Sequence, residues 1–425
     1  MKSKIVLNLI CLLILICTIF ASIKGVSFEI NAINKDNLID SSSAQTATLS
    51  KGEEEMRAVW VSFLTLNMKG TDYSEKAFKD KFDNIIKVAK DHKINTLIVH
   101  VRPFGDALYK SKIFPWSHIV AKNQGEDPGY DPLEYMVKSS HDAGLKFHAW
   151  VNPLRVQKNN SPSVLSCNNP FVKWECTGEE KFLLKVGEDK YYNPACDEVR
   201  EMIINGVAEI VENYNVDGVQ FDDYFYPNVM NEQEFCATNE NNEMGLYDKI
   251  SYDEYCACAV NTGTPLSLLQ WRTSNINNLI SGCYSKIKNI NKNVVLGISP
   301  QCNVKNDEMM GADVYKWGSI SGYVDYLCPQ VYVNFENPIL SFKNAVDLWR
   351  NIVKDKDVKL YYGLAAYKAG SDMDKGTWLK SNDILKSEIE YCRASGCDGF
   401  MIFDFANLCD EKTKEEIKNL MSVLN

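Results

Sequence analysis

From residue 57 onward, the chain alternates short apolar segments with longer amphipathic ones, and the pair occurs eight times. A short continuous apolar run predicts a strand buried on both faces, and apolar residues spaced three and four apart predict a helix. Strands are predicted over residues 57–63, 94–102, 145–152, 216–223, 294–300, 326–333, 359–366 and 397–403. Helices are predicted over residues 74–92, 131–143, 197–214, 274–290, 314–323, 340–353, 383–394 and 412–424. Eight such units predict an α/β fold, the (β/α)8 or TIM barrel.

A doubly wound open sheet is the main alternative for alternating strands and helices. That fold carries a glycine-rich phosphate-binding loop directly after its first strand. No such loop follows residues 57–63, and Gly105-Asp106 after the second predicted strand does not resemble one. The closed barrel is therefore the architecture that we expect.

The chain has 425 residues, enough for one barrel domain with an N-terminal extension. Residues 1–27 are interpreted as a signal peptide or N-terminal anchor, because two lysines precede an apolar run over residues 5–20. Residues 28–55 are polar and predict a flexible lead-in, and residues 56–425 are the predicted barrel domain. We expect an exported protein, extracellular or attached to the cell envelope, with no membrane span beyond an N-terminal anchor.

The net charge and the composition limit the kinds of binding partner that we expect. The formal net charge is −10, and an acidic chain without a basic stripe argues against nucleic acid as a partner. No motif calls for a cofactor, and we expect a monomer. In an exported chain some of the 14 cysteines are candidates for disulfides. The candidates are Cys167, Cys176 and Cys196 in one loop region and Cys236, Cys256 and Cys258 in another.

Three long loops follow predicted strands, over residues 103–130, 153–196 and 224–273. In a barrel they all lie at the C-terminal face of the strands, which carries the active site in this architecture. Long loops on that face build a cleft, and a cleft suits a polymer or an oligomer better than a small metabolite.

The most informative motif runs from Val216 to Pro227, a predicted strand that ends in two adjacent carboxylates and three aromatic rings. Side chains alternate along a strand, so Gln220 and Asp222 should share the face that points into the barrel mouth. We therefore expect Asp222 to act as nucleophile or charge stabiliser. Asp223 is either a second catalytic carboxylate or a residue that orients its neighbours.

Glycoside hydrolysis needs two carboxyl groups that flank the scissile bond, one protonated and one ionised. Asp404, at the exit of the eighth strand, is the best remaining carboxyl, although it could instead cap a helix or order a loop. Aromatic rings stack on sugars, and amides and histidines bind their hydroxyls. The predicted substrate-binding residues are Trp60, Arg102, Asp106, His148, Asn152, Gln220, Tyr224, Tyr226, Gln330 and Tyr332.

The same set of predicted site residues allows two alternative functions. His100 and His148 lie on neighbouring predicted strands and could bind a metal ion together with Asp222, as in a metal-dependent polysaccharide hydrolase or deacetylase. No His-x-His or other paired ligand spacing supports that reading, and we expect no metal. A carbohydrate-binding wall protein on a non-catalytic barrel is the other alternative.

Several segments resemble the glycosyl hydrolase-like 10 family of bacterial cell envelopes. The strongest match is residues 221–227, Phe-Asp-Asp-Tyr-Phe-Tyr-Pro, and the resemblance covers residues 56–424. It implies a (β/α)8 barrel that hydrolyses glycans, with peptidoglycan strands as the substrate of some relatives. This chain has Gln220 where the family commonly has His, and Gln301-Cys302 where it has Phe-Gly. The other matching segments are residues 56–61, 101–103, 149–153, 298–300, 329–332 and 363–367.

Overall fold

The computed structural model describes residues 54–227, 237–238, 244–245, 247–261 and 263–424. Eight parallel strands close a barrel in the spatial order β1-β8-β7-β6-β5-β4-β3-β2, so each strand lies beside its neighbours in sequence. The predicted (β/α)8 fold is confirmed. The predicted N-terminal segments, residues 1–27 and most of 28–55, lie outside the described residues. The strands are β1 Met56–Val61, β2 Thr96–Arg102, β3 Lys146–Val151, β4 Gly218–Phe221, β5 Val295–Ile298, β6 Tyr326–Leu327, β7 Lys359–Ala365 and β8 Gly399–Phe403.

A helix follows each strand on the outside of the barrel. The main helices are α1 Glu75–Asp91, α2 Pro132–Asp142, α3 Asp197–Asn213, α4 Leu268–Ile290, α5 Val314–Trp317, α6 Phe342–Ile352, α7 Ile384–Ala394 and α8 Lys414–Met421. The other helices are Phe63–Leu66, Pro170–Thr177, Lys249–Ala259, Val304–Met309 and Met373–Gly376, and 3-10 turns are Glu180–Phe182, Ala366–Lys368, Thr377–Leu379 and Phe405–Leu408. Within the described part of the chain, none of the helices combines the length and the apolar character that crossing a bilayer requires.

Two elements differ from their predicted bounds for identifiable reasons. Helix α4 begins at Leu268 rather than at residue 274, because Ser267 and Gln270 form a reciprocal capping box at its start. Strand β6 ends at Leu327 rather than at residue 333. Pro329 has no backbone N–H and so interrupts the ladder, which resumes as single bridges at Gln330.

The long loops follow β2, β3 and β4, as predicted, but the second of them is structured. It contains a three-stranded antiparallel sheet in the order Arg155–Gln157, Asp189–Tyr192, Leu183–Val186, together with the helix Pro170–Thr177. In the third loop, the backbone of Ala237–Thr238 pairs with Met244–Gly245. These loops extend the C-terminal end of the barrel.

The core has two layers, and side-chain alternation along the strands separates them. Val59 and Val61 face the helices in the large outer layer, whereas Trp60 faces the barrel interior. Gly297 makes room inside, since a Cβ atom there would lie 1.9 Å from the Tyr326 ring. The interior is therefore filled rather than open. Its buried residues are Ala58, Trp60, Ile98, Trp150, Tyr326, Cys328 and Met401.

The cysteines of the described residues are free thiols, including all the disulfide candidates that fall among them. Those candidates are Cys167, Cys176, Cys196, Cys256 and Cys258, and Cys236 lies outside the described residues. Of three cysteines in or beside predicted strands, which favour buried thiols, Cys328 and Cys397 are buried and Cys302 is half-buried.

Candidate active site

Asp222 and Asp223 lie directly after β4, at the C-terminal end of the barrel. Asp222 Oδ1 accepts two hydrogen bonds, one of 2.9 Å from the Asp223 backbone N–H and one of 3.0 Å from Gln330 Nε2. Only 7% of Asp222 and 5% of Asp223 is exposed. Gln220, the residue before Phe221 in β4, faces the barrel interior, where Tyr326 donates to its Oε1 at 3.4 Å.

Asp223 is the neutral member of the pair. Burial, and then the charge of Asp222, raise the pKa of the Asp223 carboxyl well above its usual value, and the Gln301 side chain opposes this shift only in part. Adjacent carboxyl groups cannot both ionise without a large electrostatic cost. The proton of the pair therefore stays on Asp223.

Further polar residues, which the sequence did not predict as part of the site, lie near Asp223. Asp307 is buried and accepts a hydrogen bond of 2.9 Å from the Gln301 backbone N–H. Asn306 Nδ2 donates to Gln301 Oε1, also at 2.9 Å. Burial raises the pKa of Asp307 well above its usual value. These contacts fix the loop around Gln301 after β5. The Asp-Glu pair at 307–308 lies in a short helix, and its sequence did not indicate this role.

Asp404 follows β8 and is partly exposed. Its Oδ1 accepts a hydrogen bond of 2.7 Å from Asn407 Nδ2, and its side chain makes no helix-capping bond. Burial raises the pKa of Asp404. Strands β4 and β8 are separated by four strand positions in either direction around the barrel. Asp404 and the Asp222–Asp223 pair therefore follow strands on opposite sides of the barrel.

Aromatic rings line the wall between these two carboxyl sites. Phe403 lies 5.9 Å from Trp60, 5.6 Å from Tyr332 and 6.0 Å from Tyr367, measured between ring centroids. Burial and then the charge of Asp222 raise the pKa of Tyr332. The Tyr332 backbone N–H donates to the carbonyl of Gln330, whose side chain donates to Asp222. The wall thus runs from β1 and β8 across to β6 beside Asp222.

Tyr224 gives the site an exposed aromatic face, with 44% of the residue accessible. The Arg155 guanidinium lies 4.9 Å from its ring centroid and is itself held by a hydrogen bond of 2.9 Å to the Pro103 carbonyl. The same guanidinium lies 5.0 Å from the Phe104 ring. Arg155 therefore fixes an exposed ring next to the carboxyl pair.

His100 and Asn152 lie together at the ends of β2 and β3. The His100 ring stacks on Trp150 with centroids 3.4 Å apart, and its Nε2 lies 3.1 Å from Asn152 Nδ2. Burial, and then the charge of Arg155, hold the pKa of His100 well below its usual value. The ring is therefore neutral at neutral pH.

Five buried polar atoms without a hydrogen-bond partner lie in or beside the ends of β3, β4 and β5. Such atoms are rare in folded proteins, and a group of them marks a place where water or a polar ligand binds. Within the described residues, the group is Trp150 Nε1, Asn152 Oδ1, Gln220 Nε2, Asp223 Oδ1 and Ser299 Oγ. A hydroxyl-rich molecule would satisfy both the donors and the acceptors of this set.

Four of the predicted substrate-binding residues lie elsewhere. His148 is inside the barrel, 3.0 Å from the Tyr326 hydroxyl, and burial lowers its pKa to about 4. Tyr226 is buried and accepts a hydrogen bond of 3.1 Å from Asn275. Both side chains have protein partners.

Arg102 and Asp106 also point away from the carboxyl pair. The pairing register shifts between His100 and Arg102, so the Arg102 side chain turns to the outer layer, 4.2 Å from the Phe114 ring. Asp106 is fully buried and accepts hydrogen bonds of 2.9 Å from His118 and Gln124. The bulge and these loop contacts could not be read from the spacing of the residues.

The structure gives His100 and His148 different partners, as described above. Among the residues it describes, no group of three or more His, Cys, Asp and Glu side chains is arranged to hold a metal ion. The carboxyl pair, Asp404 and the aromatic wall therefore make up the candidate site.

The glycosyl hydrolase-like 10 family model matches residues 55–379. The chain is 32% identical over 345 residues to glycosyl hydrolase YngK of Bacillus subtilis, covering 76% of this chain and 63% of YngK. It is 30% identical over 416 residues to glycosyl hydrolase DigH of Escherichia coli, covering 89% of this chain and 90% of DigH. This chain thus spans less than two thirds of YngK.

The fold is similar to that of the catalytic domain of β-amylase from Paenibacillus polymyxa, with a TM-score of 0.55 and 12% identity over 87% of this chain and 98% of that one. At this identity the likeness concerns the fold alone. The family match, by contrast, covers most of the chain, including β1 to β7 and the carboxyl pair. The chain belongs to the glycosyl hydrolase-like 10 family.

Proposed function

We propose that this chain is an exported glycoside hydrolase that cleaves glycosidic bonds in an extracellular or cell-wall glycan, with peptidoglycan glycan strands as the preferred candidate. The observation that carries the proposal is the carboxyl pair after β4. Asp222 accepts two N–H hydrogen bonds, and burial and the Asp222 charge keep its neighbour Asp223 neutral. A fixed negative charge at a barrel mouth is what an oxocarbenium-like transition state requires.

Asp222 and Asp404 take complementary roles in this proposal. Asp222 faces the anomeric carbon, as nucleophile or as the charge that stabilises the transition state. Asp404, whose pKa is raised by burial, donates a proton to the leaving oxygen. The two residues leave opposite sides of the barrel wall, which allows a sugar ring to bind between them. Asp223 keeps the charge localised on Asp222.

The remaining groups suit sugar binding. The aromatic wall from Trp60 to Tyr332 and the exposed Tyr224 ring offer apolar faces to sugar rings. The unpartnered amide, indole and hydroxyl groups near Asn152 and Ser299 offer hydrogen bonds to hydroxyl groups. The long loops lie on the same side, which favours a polymer over a small metabolite.

The choice of an envelope glycan rests on two sequence features. The apolar run over residues 5–20 behind two lysines supports export. The resemblance to a family of bacterial cell-envelope proteins supports a wall polymer as the substrate.

The test is to incubate the purified protein with peptidoglycan sacculi, intact or stripped of stem peptides, and with chitin and cellulose as comparison polymers. Released reducing ends and the masses of the products are measured. We expect soluble fragments from peptidoglycan, unchanged yield in a chelator, and none from Asp222→Asn. Binding of a glycan without release would overturn the hydrolase assignment in favour of a carbohydrate-binding wall protein.

A further inference from the structure

Away from the carboxyl pair, three side chains from two loops form a linked set. In the loop after β2, His118 Nδ1 lies 2.9 Å from Asp106 Oδ2. His118 Nε2 lies 3.1 Å from Ser161 Oγ, in the loop after β3. A hydroxyl, an imidazole and a buried carboxylate in this order have the geometry of a serine hydrolase triad, which is recognised by geometry and not by sequence position.

The hydrogen bonds of Asp106 set the orientation of the imidazole. Asp106 is fully buried, and its Oδ2 also accepts a hydrogen bond of 2.9 Å from Gln124 Nε2. When the same oxygen accepts the Nδ1–H of His118, the lone pair of Nε2 faces the Ser161 hydroxyl. A nucleophile bonded to a base, with the base held by a third group, is the arrangement that activates a serine.

Ser161 is held at the end of a tight turn. The Lys158 and Ser161 backbones exchange hydrogen bonds of 3.1 and 2.9 Å, and Asn159 and Asn160 between them have φ of 50° and 55°. Gln157 Nε2 donates to the Pro162 carbonyl at 2.6 Å. Ser161 as a whole residue is half-buried. A cavity of about 430 Å³ is lined by Gln157, Asn160 and Ser163, which are neighbours of Ser161 in the chain.

The triad is connected to the carboxyl pair by a row of neighbouring side chains. His118 lies 5.5 Å from the Phe104 ring centroid. Arg155 lies over Phe104 and over Tyr224, at 5.0 and 4.9 Å. Tyr224 directly follows Asp222 and Asp223. The serine therefore lies at the same end of the barrel as the candidate glycan cleft.

We propose that Ser161, His118 and Asp106 form a second catalytic centre that hydrolyses ester-linked acyl groups, carried on sugar hydroxyls of the glycan. The glycan as carrier rests on the proposed function, whereas the ester hydrolysis does not. Ser161 Oγ attacks the acyl carbon and passes its proton through His118 Nε2 to the departing sugar oxygen. Water then attacks the acyl-serine, which releases the carboxylic acid and restores the Ser161 hydroxyl.

The residue after the nucleophile restricts this centre to esters. Many serine hydrolases stabilise the oxyanion with the backbone N–H of the residue that follows the serine. Here that residue is Pro162, which has no N–H. Esters are intrinsically easier to hydrolyse than amides, because an alkoxide leaves more easily than an amine, so a weak oxyanion site limits ester hydrolysis less. We therefore expect ester hydrolysis without peptidase activity.

The test uses the full protein, a fluorophosphonate probe and 4-nitrophenyl acetate, and needs no glycan, so its outcome is independent of glycan cleavage. We expect one phosphonate adduct, mapped by mass spectrometry of peptides to Ser161. Ser161→Ala should lose the adduct and lower the rate of acetate release at least tenfold. His118→Gln should lower both labelling and release to a similar extent.

The matched control is Ser319→Ala, which removes an exposed serine in the connection between α5 and β6 and should label like the wild type. Adduct mapping is done on the wild-type chain, so the result stands even where a variant folds poorly. An unlabelled Ser161, or acetate release that persists in well-folded Ser161→Ala, would overturn the second centre and leave His118 as a link between two loops.

Discussion

Gln330 donates one hydrogen bond of 3.0 Å to Asp222 Oδ1 and another of 3.1 Å to the Ser299 carbonyl. One amide, at the break in the β6 ladder, thus connects the ends of β4, β5 and β6. Its contacts fix the Asp222 carboxylate in the barrel mouth without adding charge to the site. The orientation of Asp222 therefore depends on a residue far away in the sequence but adjacent in the barrel.

Asp222→Asn should abolish glycan cleavage, by about a thousandfold or more, because it removes the charge that the transition state needs. The fold should survive, since the Asn oxygen can still accept the Asp223 and Gln330 N–H bonds. Cleavage assays and thermal melting measure the two effects, and the melting temperature should stay within a few degrees. Full activity in this variant would refute the assignment of Asp222.

Asp404→Asn should lower kcat by about 10²- to 10⁴-fold, the usual contribution of a proton donor. A proton donor must be protonated, so wild-type activity should fall as pH rises through the pKa of Asp404, which burial has raised. The variant should lose this basic limb of the pH profile. It should also retain more activity on an aryl glycoside, whose leaving group needs no proton. An unchanged basic limb would show that another group donates.

Tyr224→Ala should raise KM by about 3- to 10-fold and leave kcat nearly unchanged, because an exposed ring contributes stacking but no chemistry. Tyr224→Phe is the matched control and should bind like the wild type, since it keeps the ring over Arg155. Steady-state kinetics on soluble fragments separates the two parameters. A fall in kcat in both variants would instead point to a role for the hydroxyl.

The order of strands and helices could be predicted because the spacing of apolar residues follows from which face of each element is buried. The location of Asp222 could also be predicted, since a carboxylate at a parallel strand exit must lie at the mouth. Arg102 could not be placed, because the register shift after His100 depends on the pairing of β2 with β3. Ser161 and His118 could not be paired either, as they come from different loops whose approach is set by tertiary contacts.

Arg102→Met tests whether Arg102 binds substrate, as the sequence predicted, or only packs in the outer layer of the core. All three guanidinium nitrogens are buried without a hydrogen-bond partner in the described structure, and a buried unpaired charge costs stability. Met fills a similar volume beside Phe114, so the melting temperature should stay the same or rise, and glycan cleavage should stay within twofold. A well-folded variant with strongly raised KM would restore the substrate-binding role that the sequence predicted.

Glu416→Gln should remove part of the loss of stability that occurs as the pH rises from about 4.5 to about 7. Glu416 in α8 is buried, and burial raises its pKa from 4.5 to about 7. Between these two values the unfolded chain gives up this proton while the folded chain keeps it, so stability falls as pH rises towards 7. Once Glu416 is ionised, its charge also disfavours ionisation of Glu388. The Glu388 carboxyl is buried without a hydrogen-bond partner in the described structure.

The measurement is thermal melting at pH 5 and pH 8. The difference in melting temperature between the two should be smaller by a few degrees in Glu416→Gln than in the wild type. The Gln oxygen can still accept the Leu385 N–H that Glu416 accepts. Glu415→Gln, on the exposed neighbouring residue, is the control and should melt like the wild type at both values. Equal pH dependence in Glu416→Gln and the wild type would show that other buried carboxyls, such as Asp223 and Asp307, carry the effect.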